Sequence, residues 1–544
     1  MITPSPASYD TLISERTGLL HLPKISPAFL HSWFVPMTED ENSIRKSIQH
    51  IKSTVASVEN EIIRIRRSLT ELEDYRGQLY ENLTRHQAVL SPIRKIPPEI
   101  LAEIFLRAAD GDGVVWPRKN GVVDMAFLLG RICSYWRTIS HSLPLLWSNI
   151  RLDIPHAPES RSARSLKATH AAVNELVEMC LSRSGNSLLS FSITADGPPE
   201  LIVDILHSFV KHSSRWRDVS IDLAQLSRYH QILMPAKGNV PNLHRLHLGA
   251  SIQDTLAPNA LDAFKVSPSL KRLSISHLTR PFHILHVPWA QLTHLTSKMS
   301  TFREGEFSQI LRHATSLVEF STEGERILEV TSSQPVLLPH LQKLAIINKS
   351  SYITKSFQFF TAPNLKELYL HAITPFNPEQ TIAMLTRSNC QLTHLTIHSS
   401  QEADTVGENF GIARLLAHVP SLVHLHLIVL KSGDDLIHRL GLHSNVYPKI
   451  LPNLECLMLE DGFCVSDHSL AEVLRSRINI PTPTVATDKQ LAPHLSPSPD
   501  TRLGGLRCVR LKLSLPPPPK FPELDALKVF AEKHGVDIDI QNLC

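Results

Sequence analysis

Glycine, cysteine and long apolar stretches are all scarce in this sequence. Only 20 of its 544 residues are glycine, and neither a G-x-x-x-x-G-K-[ST] loop nor a G-x-G-x-x-G loop occurs, which excludes the usual phosphate-binding loops. The 7 cysteines form no C-x-x-C pair, which argues against a structural zinc site and favours a reducing compartment. No run approaches the ~18 consecutive apolar residues of a membrane helix. We therefore expect no cofactor, no metal and no membrane partner.

An excess of charge of one sign is also absent. Lys and Arg number 55 against 52 Asp and Glu, and these residues are scattered, which argues against nucleic acid as a partner. The segment 1–37 contains five prolines and lacks the basic and apolar regions of a secretory signal, so we expect a disordered segment and a cytoplasmic or nuclear protein. Because H-E-x-x-H and G-x-S-x-G motifs are missing too, we expect no enzymatic activity.

A heptad pattern runs through the segment 38–90. Its seam, in alternating steps of four and three residues, consists of Ile44, Ile48, Ile51, Val55, Val58, Ile62, Ile65, Leu69, Leu72, Arg76, Leu79, Leu83, His86 and Leu90. A period of 3.5 residues keeps one stripe of a helix facing a partner, so the pattern predicts a coiled-coil helix. Because no second heptad run follows, its partner would be another copy or another protein. The alternative is an amphipathic helix folded back on the same chain.

The charges beside this seam specify a partner only weakly for parallel helices. Among the flanking pairs, Glu61 and Arg66 alone have the spacing of an attractive contact between two parallel copies. Arg76, within the seam, could fix the register at some cost in stability.

Three short helices are predicted in the segment 91–152. The proline pair at 97–98 suits a helix start, because proline has a fixed φ and needs no hydrogen bond for its nitrogen there. A second helix is predicted over 122–133, and a third follows it and ends before Pro144. The characteristic residues, in order, are Ile96-Pro97-Pro98-Glu99-Ile100-Leu101, Ile104-Phe105, Leu128-Leu129, Ile132-Cys133, Trp136-Arg137 and Pro144-Leu145-Leu146-Trp147.

This order resembles the F-box motif, in particular that of the F-box-like proteins of fungi, several of which carry a coiled-coil segment just ahead of it. The sequence departs from the motif in having Ile96 where leucine is usual and a lengthened loop that contains Trp116. The resemblance implies binding to the Skp-family adaptor of SCF ubiquitin ligases, and through it to a cullin. The residues implied in adaptor binding are Ile96, Pro97, Pro98, Glu99, Ile100, Leu101, Ile104, Phe105, Leu129, Ile132 and Trp136.

A helical module of this size cannot cover all of its apolar side chains, and the surplus would suit a groove between the helices of a partner. The alternative is that the same residues form only the internal core of a helical domain that caps the rest of the chain.

The remaining sequence repeats the unit L-x-x-L-x-L. Full copies start at Leu243, Leu270, Leu341, Leu365, Leu392, Leu422 and Leu454. Degenerate copies start at Trp147, Leu188, Trp216, Leu292, Leu317 and Leu506. From 188 to 454 the successive starts lie 22 to 32 residues apart, close to the roughly 20 to 29 residues of leucine-rich repeats.

Each copy predicts one strand with one buried face, and helical stretches such as 201–211 and 379–387 lie between copies. One strand and one helix cannot bury their own apolar faces, so neighbouring units must stack into a solenoid. The pattern resembles the divergent leucine-rich repeats of substrate-receptor F-box proteins, although the asparagine that often follows the strand is generally absent.

The third and fifth residues of each copy should project from the sheet into solvent. The candidates for a substrate-binding face are Arg245, His247, Arg272, His294, Lys343, Glu367, Tyr369, His394, His424 and His426. A row of charged and imidazole side chains on a concave sheet could bind a protein substrate. The alternative is a solvated face without a partner.

The expected fold is a mainly α/β leucine-rich-repeat solenoid over 153–544, with a disordered insertion at 478–500. An F-box-like module of three helices (91–152) and a long N-terminal coiled-coil helix (38–90) precede it. The expected function is non-catalytic substrate recognition in an SCF-type ubiquitin ligase. One alternative is an interaction scaffold without a ligase. Another is an enzyme with an unrecognised site on the repeat face, which no group of residues supports.

Overall fold

The computed structural model describes most of the chain. The described residues are 25, 30, 35–109, 113–116, 124–155, 163–251, 253–302, 306–323, 326–327, 335–348, 357, 360–372, 378–399, 406–429, 434–442, 450–461, 467–478, 505–513 and 522–542. Two compact units are present, Met1–Ile100 and Leu101–Cys544. The disorder expected for 1–37 and for 478–500 falls almost wholly outside the described residues. Of the helices that are described, none has the length and apolar character needed to cross a membrane.

One long helix, α1, dominates the first unit. It covers Thr38–Val89, 52 residues, which corresponds to about 78 Å. Acidic residues occupy its first turn and His86 its last, as the helix dipole favours. None of its side chains is buried, and nine apolar seam residues between Ile48 and Leu83 are 43 to 66% exposed. The predicted helix is confirmed, and its pairing stays a prediction.

The second unit is α/β structure built on one sheet of 15 parallel strands. In spatial order these are β1 (Val114–Trp116), β2 (Asn149–Ile154), β3 (Leu189–Ala195), β4 (Trp216–Leu223), β5 (Arg245–Gly249), β6 (Arg272–Ser276), β7 (His294–Lys298), β9 (Glu319–Glu323), β12 (Lys343–Asn348), β14 (Glu367–Ala372), β15 (His394–Ser399), β16 (His424–Val429), β17 (Cys456–Asp461), β18 (Cys508–Leu513) and β19 (Asp537–Asn542). Two further parallel pairs join β8 (Thr301–Phe302) to β10 (Arg326–Ile327) and β11 (Val336–Leu337) to β13 (Phe360–Thr361).

Helices connect many of these strands. After α1, the α-helices are α2 (Pro98–Ala108), α3 (Met125–Ile132), α4 (Ser134–His141), α5 (Ala163–Arg183), α6 (Pro199–Val210), α7 (Leu226–Tyr229), α8 (Pro281–Ile284), α9 (Glu306–His313), α10 (Pro378–Ser388), α11 (Val406–Ala417), α12 (Asp434–Leu440), α13 (Asp467–Ile478) and α14 (Pro522–Lys533). Short 3-10 helices cover Pro92–Lys95, Pro144–Trp147, Ser213–Arg215, His230–Ala236, Asp262–Phe264 and Trp289–Gln291. The three helices predicted within 91–152 correspond to α2, α3 and α4.

All thirteen copies of the repeated unit, full and degenerate, supply a strand of the large sheet. Equivalent leucines lie beside each other on neighbouring strands, as in the row Leu246, Leu273 and Leu295. All three leucines are buried. The residues that directly follow them, His247, Ser274 and Thr296, are half-buried and face solvent. The predicted alternation of buried and exposed residues is therefore confirmed, and the core is a stack of aligned apolar rows.

The loop that contains Trp116 forms a strand that the sequence did not predict. β1 pairs with β2 in parallel register, from Val114 opposite Ile150 to Trp116 opposite Leu152. A side chain at the preceding Gly113 would meet the Asn149 carbonyl oxygen at 2.6 Å, so this close approach requires glycine. The first two strands of the sheet, β1 and β2, thus both begin within the segment 91–152. The expected domain boundary at 152/153 falls inside β2.

Arg477, in α13, is fully buried. Its guanidinium donates hydrogen bonds to the backbone oxygens of Leu451 at 3.0 Å and Ile450 at 2.7 Å, and also to that of Leu440. Burial lowers the pKa of Arg477 to about 10. Leu451 has a positive φ of 56°, so this side chain holds an unusual turn just before β17.

We predict that Arg477→Lys destabilises the protein by about 2 to 4 kcal/mol, because an ammonium cannot reach three divergent carbonyl groups and leaves some of them unpaired. The matched control is Arg475→Lys on the same helix, where an exposed ion pair to Glu523 at 3.2 Å makes the expected loss less than about 1 kcal/mol. Urea unfolding followed by tryptophan fluorescence measures both. Equal losses in the two variants would contradict the anchoring role.

Candidate protein-interaction surfaces

The helices α2, α3 and α4 pack around a small interior of their own. Leu101 and Phe105 of α2 are fully buried, and Leu129 of α3 is 5% exposed. The Phe105 and Trp136 rings lie 4.8 Å apart, which joins α2 to α4. Trp147 is also fully buried, and its indole nitrogen donates a hydrogen bond to the Ser140 oxygen at 2.9 Å. We call this part of the second unit, 101–147, the helical module.

Side-chain hydrogen bonds fix the corner between α3 and α4. The Arg137 Nε donates to the Gly130 oxygen at 2.7 Å, and the Trp136 backbone nitrogen donates to the Cys133 Sγ at 3.4 Å. Cys133 thus caps the first turn of α4, and together with the Arg137 contact it fixes the corner between the two helices.

An apolar set of side chains remains on the outside of the helical module. It consists of Ile104, Leu128, Ile132, Tyr135 and Leu145, which are 43 to 58% exposed. We call these five residues the outer apolar set. They belong to α2, α3, α4 and the 3-10 turn that follows.

The residues expected in adaptor binding therefore divide into two groups. Leu101, Phe105 and Leu129 are buried in the module, so the expectation that they contact a partner is corrected: they fill its interior and support the helices. Ile104 and Ile132 are exposed, and Trp136 is half-buried against Phe105.

The other adaptor candidates lie at the end of the first unit. Pro97, Pro98, Glu99 and Ile100 are exposed, and Ile96 is half-buried. Ile100 and Leu101 are neighbours in one helix, yet the first is 54% exposed and the second fully buried. A rotation of about 100° per residue accounts for this difference.

The ten candidates for the substrate-binding face all lie on the solvent side of the large sheet. Three of them, His247, Tyr369 and His426, stand between two buried residues of their strands, and each of the other seven is the first residue of its strand and precedes a buried one. None of the ten is buried itself. The solvent side carries three rows of side chains, because the strands extend beyond the last apolar residue of the repeated unit. The candidates occupy the first two rows.

A groove of about 400 Å³ crosses strands β2 to β9 on this face. Small hydroxyl side chains of the middle row line it, namely Ser192, Ser220, Ser274 and Thr296. Four of the ten candidates also line it: Arg245, His247, Arg272 and His294. The groove exists because small residues stand between longer ones in successive strands.

The charges along the groove are only partly paired. The Arg245 Nε lies 3.5 Å from an Asp218 carboxylate oxygen, and the His294 Nε2 lies 3.6 Å from Glu319. Arg272 stands in register between Arg245 and His294 and, within the described part of the chain, has no ion-pair partner. Burial, and then the charge of Arg272, lower the pKa of His294. The groove therefore has a cationic centre.

The remaining six candidates lie farther along the sheet, outside the groove. Lys343 and Glu367 form an ion pair at 2.8 Å, and the His426 Nε2 lies 3.4 Å from Glu460. The rings of His394 and His424 stack with their centroids 4.1 Å apart. Tyr369 lies in the middle row of β14. These side chains form a separate histidine-rich area.

Two histidines of this area were not expected. The rings of His371 and His398 stack in the third row with their centroids 3.8 Å apart, and each histidine directly follows the last apolar residue of its copy. The alternation of buried and solvent-facing residues along a strand, extended by one residue past the last apolar position of each copy, would have identified them. In the residues that the structure describes, no group of three or more metal-ligating side chains could hold a metal ion.

Comparison with known proteins adds no relative to these observations. No known family model matches the chain, and no curated protein matches it either. The two surfaces therefore have to be interpreted from their own geometry.

The partial burial of the His247 imidazole predicts that the stability of the protein depends on pH. Burial lowers the pKa of His247, and its Nδ1 lies 2.9 Å from the Ser274 hydroxyl. In the unfolded chain the His247 imidazole binds a proton more readily, so stability falls as the pH drops through about 6.5.

We predict that His247→Gln reduces the loss of stability between pH 7 and pH 5. Thr396→Ala, in the same row of β15, removes neither a titrating group nor a contact of His247 and should leave that loss unchanged. Urea midpoints at both pH values measure it, and an unaltered loss in His247→Gln would refute the assignment.

Proposed function

We propose that this protein is a non-catalytic substrate receptor of an SCF-type ubiquitin ligase. The helical module docks to a Skp-family adaptor and through it to a cullin, and the solvent face of the sheet binds a protein substrate. The observation that carries the proposal is the outer apolar set, which stays exposed on a module whose interior is already filled.

The filled interior of the helical module supports the proposal. If the exposed residues were a core without enough neighbours, Leu101 and Phe105 would also be accessible, and both are fully buried. Complete burial of an isoleucine side chain is worth about 1.5 to 3 kcal/mol. Contiguous exposed apolar surface on a folded protein typically marks an interaction site. A groove between helices of an adaptor would cover such a surface.

The repeated strands support the second half of the proposal. The thirteen copies stand in parallel register with helices between many of them, and the eleven that start between 188 and 454 are 22 to 32 residues apart. This arrangement agrees with divergent leucine-rich repeats stacked into a solenoid. The polar face with its groove would then bind the substrate.

Such a receptor needs no catalytic residue of its own. It holds a substrate lysine near a ubiquitin-charged enzyme supplied by the rest of the complex and so raises its effective concentration. The groove supplies positions for side chains of a protein substrate, with Arg272 available for an acidic group.

We predict that Ile104→Asp combined with Ile132→Asp abolishes adaptor binding, because both carboxylates would be buried against an apolar groove without a partner. Binding of a purified Skp-family adaptor, measured by interferometry, should weaken more than ~100-fold. The matched control is Val529→Asp in α14, equally exposed at 56%, which should bind as the unmodified protein does. Circular dichroism confirms that each variant is folded. Failure of the unmodified chain to bind the adaptor would overturn the ligase proposal.

We predict that the Arg272→Glu variant no longer captures most of the substrates that co-purify with the unmodified protein when the proteasome is blocked. The reason is that the substitution reverses the charge at the centre of the groove. The matched control is Arg510→Glu, an exposed arginine in the middle row of β18, which should keep them. Quantitative affinity proteomics compares the two variants. Equal losses in both would place substrate binding elsewhere.

One observation favours an additional association role whether or not the ligase forms. Nine apolar seam residues of α1 between Ile48 and Leu83 are exposed, and we propose that this helix pairs with the same helix of a second copy. With adaptor binding absent, the protein would remain an interaction scaffold built from this helix and the sheet.

A further inference from the structure

The polar residues of the α1 seam distinguish two ways of pairing two copies. In the heptad, Ile48, Val55 and Ile62 occupy a positions, and Arg76 is also an a residue. Parallel helices in register place each a residue against the same residue of the other copy. Two Arg76 guanidinium groups would then meet inside the seam, where like charges are costly.

An antiparallel pair avoids this contact. When the midpoints of two α1 helices coincide, a positions meet d positions: Ile48 meets Leu79, and Val55 meets Leu72. Arg76 then faces Ile51 of the second copy, from which its long side chain can reach solvent. At the ends of the helices, Glu41 stands opposite His86, an attractive combination where parallel pairing would bring two acids or two imidazoles together.

The charged residues that flank the seam also favour the antiparallel pair. In the antiparallel register, Lys52 lies beside Glu73 of the second copy, and Glu59 lies beside Arg66. Each contact occurs twice by symmetry. These four side chains have no ion-pair partner among the described residues, so they are available for a second copy. No like charges face each other along these edges.

The parallel register offers much less. Its one attractive flanking pair joins Glu61 to Arg66 of the second copy. Glu61 already accepts two hydrogen bonds from Arg64 of its own helix, at 3.0 and 2.6 Å. Parallel pairing would have to compete with this contact, and antiparallel pairing leaves it intact.

We propose that α1 pairs with α1 of a second copy in antiparallel orientation, centred between Ile63 and Arg64. This inference rests on the proposed self-association of α1 and is independent of adaptor binding. In such a dimer the two chains leave the paired helices at opposite ends, about 78 Å apart. The dimer would therefore attach its two receptor units at opposite ends of the paired helices, as suits two sites on one large or oligomeric substrate.

Cross-linking of the full chain tests the orientation. The antiparallel register places Ile44 of one copy against Leu83 of the other. We expect Ile44→Cys chains carrying a large tag to cross-link with untagged Leu83→Cys chains, and neither variant to cross-link with itself. The unmodified chain, with its 7 native cysteines, gives the background. Self-cross-linking of Ile44→Cys would establish parallel pairing and overturn the orientation.

A charge exchange supplies an independent measurement by sedimentation. Lys52→Glu should weaken the dimer about tenfold, since two attractive contacts become repulsive, and adding Glu73→Lys should restore it. In parallel pairing Lys52 faces Ser47, so no rescue would occur. A monomeric full chain would overturn the self-association together with its orientation. Adaptor binding, measured on the same samples, reports separately on the ligase proposal.

Discussion

The structure of the second unit depends on the alignment of apolar rows across parallel strands. Leu246, Leu273 and Leu295 show the principle: each strand offers one apolar face, and only a neighbour with an apolar residue at the same register can extend the row. A single copy would leave that face in water, so copies are stable only together. This requirement also determines which positions can vary between copies. Residues that point to solvent have no part in the alignment and are free to carry function.

The groove is a direct consequence of that freedom. Because parallel strands keep equivalent residues side by side, the serines and the threonine of the middle row lie along one groove, which His247 of the same row also lines. Longer side chains of the first row, Arg245, Arg272 and His294, stand beside it. A change of one residue in one strand alters the groove locally and leaves the buried rows untouched. The sheet thus separates stability from recognition.

Much of this architecture could be predicted from the sequence, because α1, the three short helices and thirteen strands each follow a local period. What could not be predicted depends on contacts between distant segments. β1 has three residues and no repeat pattern, and it forms only because β2 offers an edge and Gly113 permits close approach. The division between Ile100 and Leu101 is similar: both are apolar, and only the packing of α2 against Trp136 through Phe105 decides which side is buried. His371 and His398 required knowledge of where each strand ends.

The distribution of exposed apolar side chains separates two kinds of recognition. In the described part of 163–542 only five large apolar residues are exposed, namely Leu188, Val266, Met299, Leu337 and Val529, and these are widely spaced in sequence. Between 35 and 147 they are frequent, along α1 and on the helical module. Apolar contacts favour lasting association, whereas polar and charged contacts favour specificity and exchange. A receptor that stays in its complex while substrates come and go needs both, and this chain carries the first before residue 148 and the second on its sheet.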